Sequence, residues 1–184
     1  MSVHLARRPI TVEEYYRMAE VGILTENDKV ELIHGEIIEM SPVGSKHAAV
    51  VDRINNVLKS LIKDRAIIRV QSPVLLNDLN QPEPDVTILK PSDNYYSESH
   101  PGPDDIFILV EVADSSLPYD RQIKLPLYAS AGVPEFWLVN LEKQEIEIHR
   151  SPSKNVYKKI EIFQPDDDIS CFDHKVNVRS LLGA

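Results

Sequence analysis

The sequence predicts an α/β fold, with a mixed central β-sheet flanked by helices. Three observations carry this. Segments of helical period alternate along the chain with short apolar or alternating segments. The stretch "IFILVEVA" is apolar on both faces, as expected of a strand that lies central in a sheet and is covered on both sides. The chain has 184 residues, 42% of them hydrophobic, which is enough for a real core and fits one domain over residues 1–184.

The elements follow in order. "TVEEYYRMAEVG" has a capping threonine and glutamates in its first turn, and reads as a short N-terminal helix. "KVELIHGEIIEMS" reads as a hairpin turning at His34-Gly35, where glycine admits the positive φ of a tight turn. "SKHAAVVDRINNVLKSLIKD" is the clearest helix. Val50, Ile54, Val57, Leu58, Leu61 and Ile62 fall on one stripe, and Ser45 is its expected cap. "AIIRV", "PVLLN" and "DVTIL" read as strands, with "NDLNQPEP" as a loop. "PSDNYYSESHPGPDD" is a long polar loop before "IFILVEVA". "YDRQIKLPLYASAG" reads as a helix ending at Gly132 and disturbed by Pro126. "PEFWLVN", "EIEIHR" and "VYKKIEIF" are further strands, and "KVNVRSLL" closes the chain.

Bulk properties narrow the function. The net charge is −9, whereas a protein that only coats nucleic acid by neutralising phosphates is normally basic. An acidic balance does suit an enzyme that holds a divalent cation. The lone Cys171 excludes an internal disulfide and a cysteine zinc cluster, and agrees with a reducing cytoplasm. "MSVHLARRPI" lacks the apolar core of a signal peptide, and no apolar stretch approaches a membrane span. Neither a GxSxG elbow nor a GxxxxGK[ST] phosphate loop is present, which argues against an esterase or an ATPase.

Two carboxylates stand out because apolar strands are costly places for them. Glu111 lies inside "ILVEVA", and Asp85 opens "VTIL". Glu111 can reach water at the strand end, pair with Arg121 or Lys124, or bind a metal. Asp85 can hydrogen-bond backbone amides at a strand start, or join Glu111 in an oxygen-rich pocket for Mg²⁺, which takes one or two carboxylates and keeps several waters. A nearby lysine would add positive charge for a phosphate oxygen, or help deprotonate the water. His47 is expected near the start of the long helix facing solvent, or else near the metal or a phosphate. Tyr128, one turn after Lys124, either lines the site or packs on the sheet. Lys46, Arg53, Lys59, Lys63 and Arg65 either track a DNA backbone or form a charged outer face.

"PEPDV", "VEVADSS", "YDRQIK" and "YASAGVPEFWLVN", in this order and spacing, resemble the Uma family of putative restriction endonucleases. That family belongs to the PD-(D/E)xK nuclease superfamily. The resemblance extends to "TVEEYYRM" and "ELIHGEIIEM". It implies a restriction endonuclease-like core and a metal-dependent endonuclease acting on DNA with Mg²⁺ or Mn²⁺. It implies Asp85 and Glu111 as metal ligands, the Val112 carbonyl completing the site, and Glu36 approaching the metal directly or through water. The superfamily motif places lysine two residues after the acid, where this chain has Ala113. The family supplies it from the following helix, which matches Lys124. Asp114 stands where the family commonly has serine. By analogy with nucleases that cut both strands, a homodimer is expected. The alternative is a catalytically inactive module of the same fold that binds nucleic acid or a protein partner.

Overall fold

The architecture was read from a computed structural model, which describes residues 7–183. Residues 1–6, which open the stretch read for a signal peptide, lie outside the described residues, as does residue 184.

Helix α1 (Val12–Glu20) starts as its sequence requires. The Thr11 side chain accepts from the Glu14 backbone N–H, and the Glu14 carboxylate accepts from the Thr11 N–H, a reciprocal capping box. Strands β1 (Val30–Ile33) and β2 (Glu36–Glu39) form the expected antiparallel hairpin, with Ile33 opposite Glu36 and Glu31 opposite Ile38. At its turn Gly35 has φ 72° and lies so close to Pro9 that a Cβ would stand 2.4 Å from the proline's Cβ. Helix α2 (Ser45–Ile62) follows. Its cap is Gly44, which has no side chain to offer, so Ser45 is the first helical residue and not the expected cap. The stripe is as read: Val50, Val51, Ile54, Leu58 and Ile62 are buried, with Val57 and Leu61 packed at the margin.

Strands β3 (Ile67–Val70), β4 (Val86–Leu89), β5 (Ile106–Ala113), β6 (Glu135–Asn140), β7 (Glu145–Ser153) and β8 (Val156–Phe163) form one six-stranded sheet in that order. All neighbours pair antiparallel except β5 and β6, which are parallel. The mixed sheet is therefore as expected. "PVLLN" is not a strand of it. The N–H groups of Val74 and Leu76 bond to the carbonyls of Pro82 and Asn80 within one loop, and both side chains are buried. Their alternation records a loop pressed onto the core, without a ladder to join.

Between β5 and β6 the chain runs through α3 (Leu117–Tyr119), a π-helical turn (Asp120–Lys124) and α4 (Leu125–Ala131), ending at Gly132 with φ 85°. Pro126 explains the wide turn. It has no N–H and crowds the preceding carbonyl, and the turn absorbs this by bonding Leu125 N–H five residues back to Asp120. Strands β9 (Asp168–Cys171) and β10 (His174–Asn177) form a second hairpin, and α5 (Val178–Leu182) follows.

The core lies on both faces of the sheet. On one, α2 and α5 cover Val86, Ile88, Ile108, Val110, Val112, Trp137 and Val139. On the other, α4 sets Leu127, Tyr128 and Ala129 against Leu109, Ala113, Phe136 and Leu138. Glu111 alternates with Leu109 and Ala113, so it shares their face, under α4.

Candidate active site

The site is built where β4 begins and β5 nears its end. Val86, the first residue of β4, pairs with Val110, so Asp85 immediately precedes the ladder and Glu111 follows its last pair on β5. Asp85 Oδ2 accepts from the Val112 backbone N–H at 2.8 Å and lies 3.0 Å from His47 Nε2. The N–H and carbonyl of one strand residue point to the same edge. The Val112 carbonyl thus faces Asp85's side, while Ala113 faces β6 and its carbonyl accepts from Leu141 N–H.

Glu111 is buried, and its Oε1 accepts from Tyr128 Oη at 2.6 Å and from Lys124 Nζ at 3.1 Å. Lys124 and Tyr128 stand four residues apart on the helical segment, so both reach the same oxygen. Lys124 Nζ also lies 3.1 Å from Glu31 Oε2 on β1. Glu31 is itself fixed by the Glu83 N–H at 3.1 Å. Asp120, also buried, accepts from Ser116 Oγ at 2.7 Å.

The electrostatics follow from burial. Burial pushes the Glu111 carboxyl well above its ordinary range, Lys124 opposes that, and Asp120 and Asp85 reinforce it. Burial likewise raises Asp120. Burial alone would lower Lys124, but Glu111, Glu31 and Asp120 together overcome it and hold the ammonium protonated. The hydrogen bond to Asp85 raises His47 against the effect of burial. Burial also raises the Tyr128 hydroxyl, with Glu111 adding to it.

The structure therefore brings together Asp85, Glu111, Lys124 and the Val112 backbone. It does not bring Glu36 with them. Glu36 sits at the turn end of the hairpin, 54% exposed, and pairs with Arg7 at 2.8 Å. The acid of that hairpin that enters the cluster is Glu31. His47 is not solvent-facing as expected, because Asp85 draws its ring inward to 15% exposure. Tyr128 does both things considered for it, packing on Phe136 and bonding Glu111. Of the basic residues along α2 and just after it, Arg53 and Arg65 are tied back to the Leu182 carbonyl and to Asp173.

Glu31 and Asp120 were missed, although their signals were present. Glu31 is a carboxylate between Val30 and Leu32, the same anomaly that singled out Glu111. Asp120 precedes Lys124 by four residues in "YDRQIK", the spacing at which helical side chains meet.

The donor set fits a hard divalent cation. Glu31, Asp85, Glu111 and Asp120 place four carboxyl groups around Lys124 and His47. The hydrogen bonds of Asp85 and Glu111 converge on Oδ2 and Oε1, so Asp85 Oδ1 and Glu111 Oε2 are not engaged by them. Among the described residues no three His, Cys, Asp or Glu side chains converge on one point. The set on offer is two carboxylate oxygens with a backbone carbonyl and water, the mixture Mg²⁺ accepts.

The mixed six-stranded sheet flanked by helices is a nuclease-like fold. Residues 12–174 match the Uma2 family, described as a putative restriction endonuclease, and the chain belongs to that family. The crystal structure of a putative nuclease belonging to DUF820 from Anabaena variabilis has the same fold. Its TM-score is 0.73 at 18% identity, covering 95% of this chain and 98% of that one. No curated protein matches the chain. Among the described residues, no helix is long and apolar enough to cross a membrane.

Proposed function

We propose that the protein is a divalent-metal-dependent endonuclease that hydrolyses DNA phosphodiester bonds. The observation that carries this reading is that Asp85 accepts from the N–H of Val112, the residue next to Glu111, while the Lys124 ammonium lies 3.1 Å from Glu111. Asp85, Glu111 and the Val112 carbonyl would hold Mg²⁺ or Mn²⁺. When bound, the ion would polarise a phosphate oxygen and sharpen a water as nucleophile.

The protein's own groups prepare that site. The Val112 N–H and His47 fix the Asp85 carboxylate in one rotamer. Tyr128 fixes Glu111 from the helix above it. Lys124 is held charged by Glu31, Glu111 and Asp120, so it serves as a hydrogen-bond donor and positive charge and not as a general base. Its role is to offset the negative charge that builds on the phosphate oxygens in the transition state. Burial of the cluster keeps competing water away and strengthens that interaction.

The test is cleavage of supercoiled and linear DNA by the purified protein with Mg²⁺ or Mn²⁺. Wild type should nick or cut, and EDTA should abolish it. Glu111→Gln and Lys124→Met should each lose at least a hundredfold in rate while keeping the native circular dichroism spectrum. Equal cleavage by wild type and both variants rejects the assignment. Calorimetry with Mn²⁺ separates the catalytic reading from an inactive binding module, since the module has no need of the ion.

A further inference from the structure

We propose that β8 is the pairing strand of a symmetric dimer, in which a second copy of this chain adds antiparallel to the outer edge of the six-stranded sheet. β8 is the last strand of the sheet, eight residues long, and among the described residues no strand pairs with its outer edge. Long open edges are normally blunted by shortness, proline, bulges or charged side chains, lysine above all, because they template pairing with another chain. The opposite edge, β3, is only four residues long. β8 carries Lys158, Lys159 and Glu161, and between and beside these charges it exposes Val156, Ile160 and Ile162 at 52%, 56% and 56%.

The sequence of β8 selects a second copy and a register. A two-fold axis perpendicular to the sheet keeps each side chain on its own face, so only residues of the same parity meet. With the axis at Ile160, the two Ile160 side chains face each other, and each Lys159 stands opposite the partner's Glu161. Lys159 and Glu161 already lie side by side on one face, 3.1 Å apart, so each pair offers the other both charges in complementary order. Moving the axis to Glu161 would set glutamate against glutamate, and moving it to Lys159 would set lysine against lysine. Like charges directly opposite are destabilising, so the Ile160 register is the favoured one.

The experiment is sedimentation of the full chain without DNA or metal, so that its outcome is independent of whether the protein cuts. Wild type should sediment as a dimer. Ile160→Arg and Ile160→Glu should each sediment as folded monomers, with unchanged circular dichroism, because each would place like charges at the axis. Mixing the two variants in equal amounts should restore the dimer, now with arginine facing glutamate. A monomeric wild type, or a dimer that survives both substitutions, overturns the proposal. Failure of the mixture to reassociate overturns the Ile160 register.

Discussion

Lys124 Nζ stands 3.1 Å from Glu111 Oε1 and an equal 3.1 Å from Glu31 Oε2, so one ammonium bridges the central sheet and the N-terminal hairpin. The three side chains are almost wholly shielded from water. A buried ion pair is worth little against an apolar replacement of both partners, but removing one partner strands the other.

Lys124→Met therefore has a definite expected cost. Glu31 and Glu111 would lose their counter-ion inside the protein, and the loss should be about 3 kcal/mol in urea unfolding. The deficit should be larger at alkaline than at acid pH, because protonating the stranded carboxylates relieves it. The double variant Glu111→Gln with Lys124→Met should recover a good part of the loss. A double-variant stability equal to the sum of the two single losses would show that the pair is not coupled.

Tyr128→Phe isolates the second anchor of Glu111. The ring packs on Phe136 with centroids 5.3 Å apart, and that packing survives the substitution. What disappears is the 2.6 Å hydrogen bond to a buried carboxylate. The expected loss is about 2 kcal/mol, the range for a hydrogen bond to a charged group, measured by denaturant titration. If Glu111 holds a metal as proposed, Mn²⁺ affinity should also fall in calorimetry, because the carboxylate loses its fixed rotamer.

Much of this architecture was legible because it rests on period and pattern. The α2 stripe, the doubly apolar β5 and the Thr11 cap each follow from local spacing, and each forms as read. The Glu111–Lys124 pair was also legible, since a carboxylate in an apolar strand demands a partner and few cations lie near in sequence. What stayed hidden depends on how distant segments close on one another. Glu31 and Glu36 are both acids of one hairpin, and nothing in their spacing tells which faces the sheet 80 residues later in the chain. "PVLLN" has a strand's alternation, but whether it finds a ladder depends on where Pro82 and Asn80 fold back. The π turn at Asp120–Lys124 is a response to Pro126, and helical period alone does not show it.

The same helical segment, through Arg121, yields a pH prediction on a group that is not a proposed metal ligand. The Glu147 side chain on β7 lies 3.1 Å from His149 Nε2 and accepts from Arg121 Nη2. The hydrogen bond with His149 is the largest influence holding the Glu147 carboxyl below its ordinary value, with Arg121 adding to it against burial. A carboxyl that is depressed in the folded state stabilises the fold once pH is above its unfolded value of 4.5, and that contribution is lost as pH falls through the lower folded value. Arg121 is 44% exposed, so water screens the pair and the contribution is on the order of 1 kcal/mol. Glu147→Gln should therefore lower stability at pH 7 by that amount and flatten the fall in stability below pH 4.5. The two urea midpoints should converge as the medium becomes more acidic. Parallel pH profiles for wild type and variant would show that Glu147 titrates alike in the folded and unfolded chains.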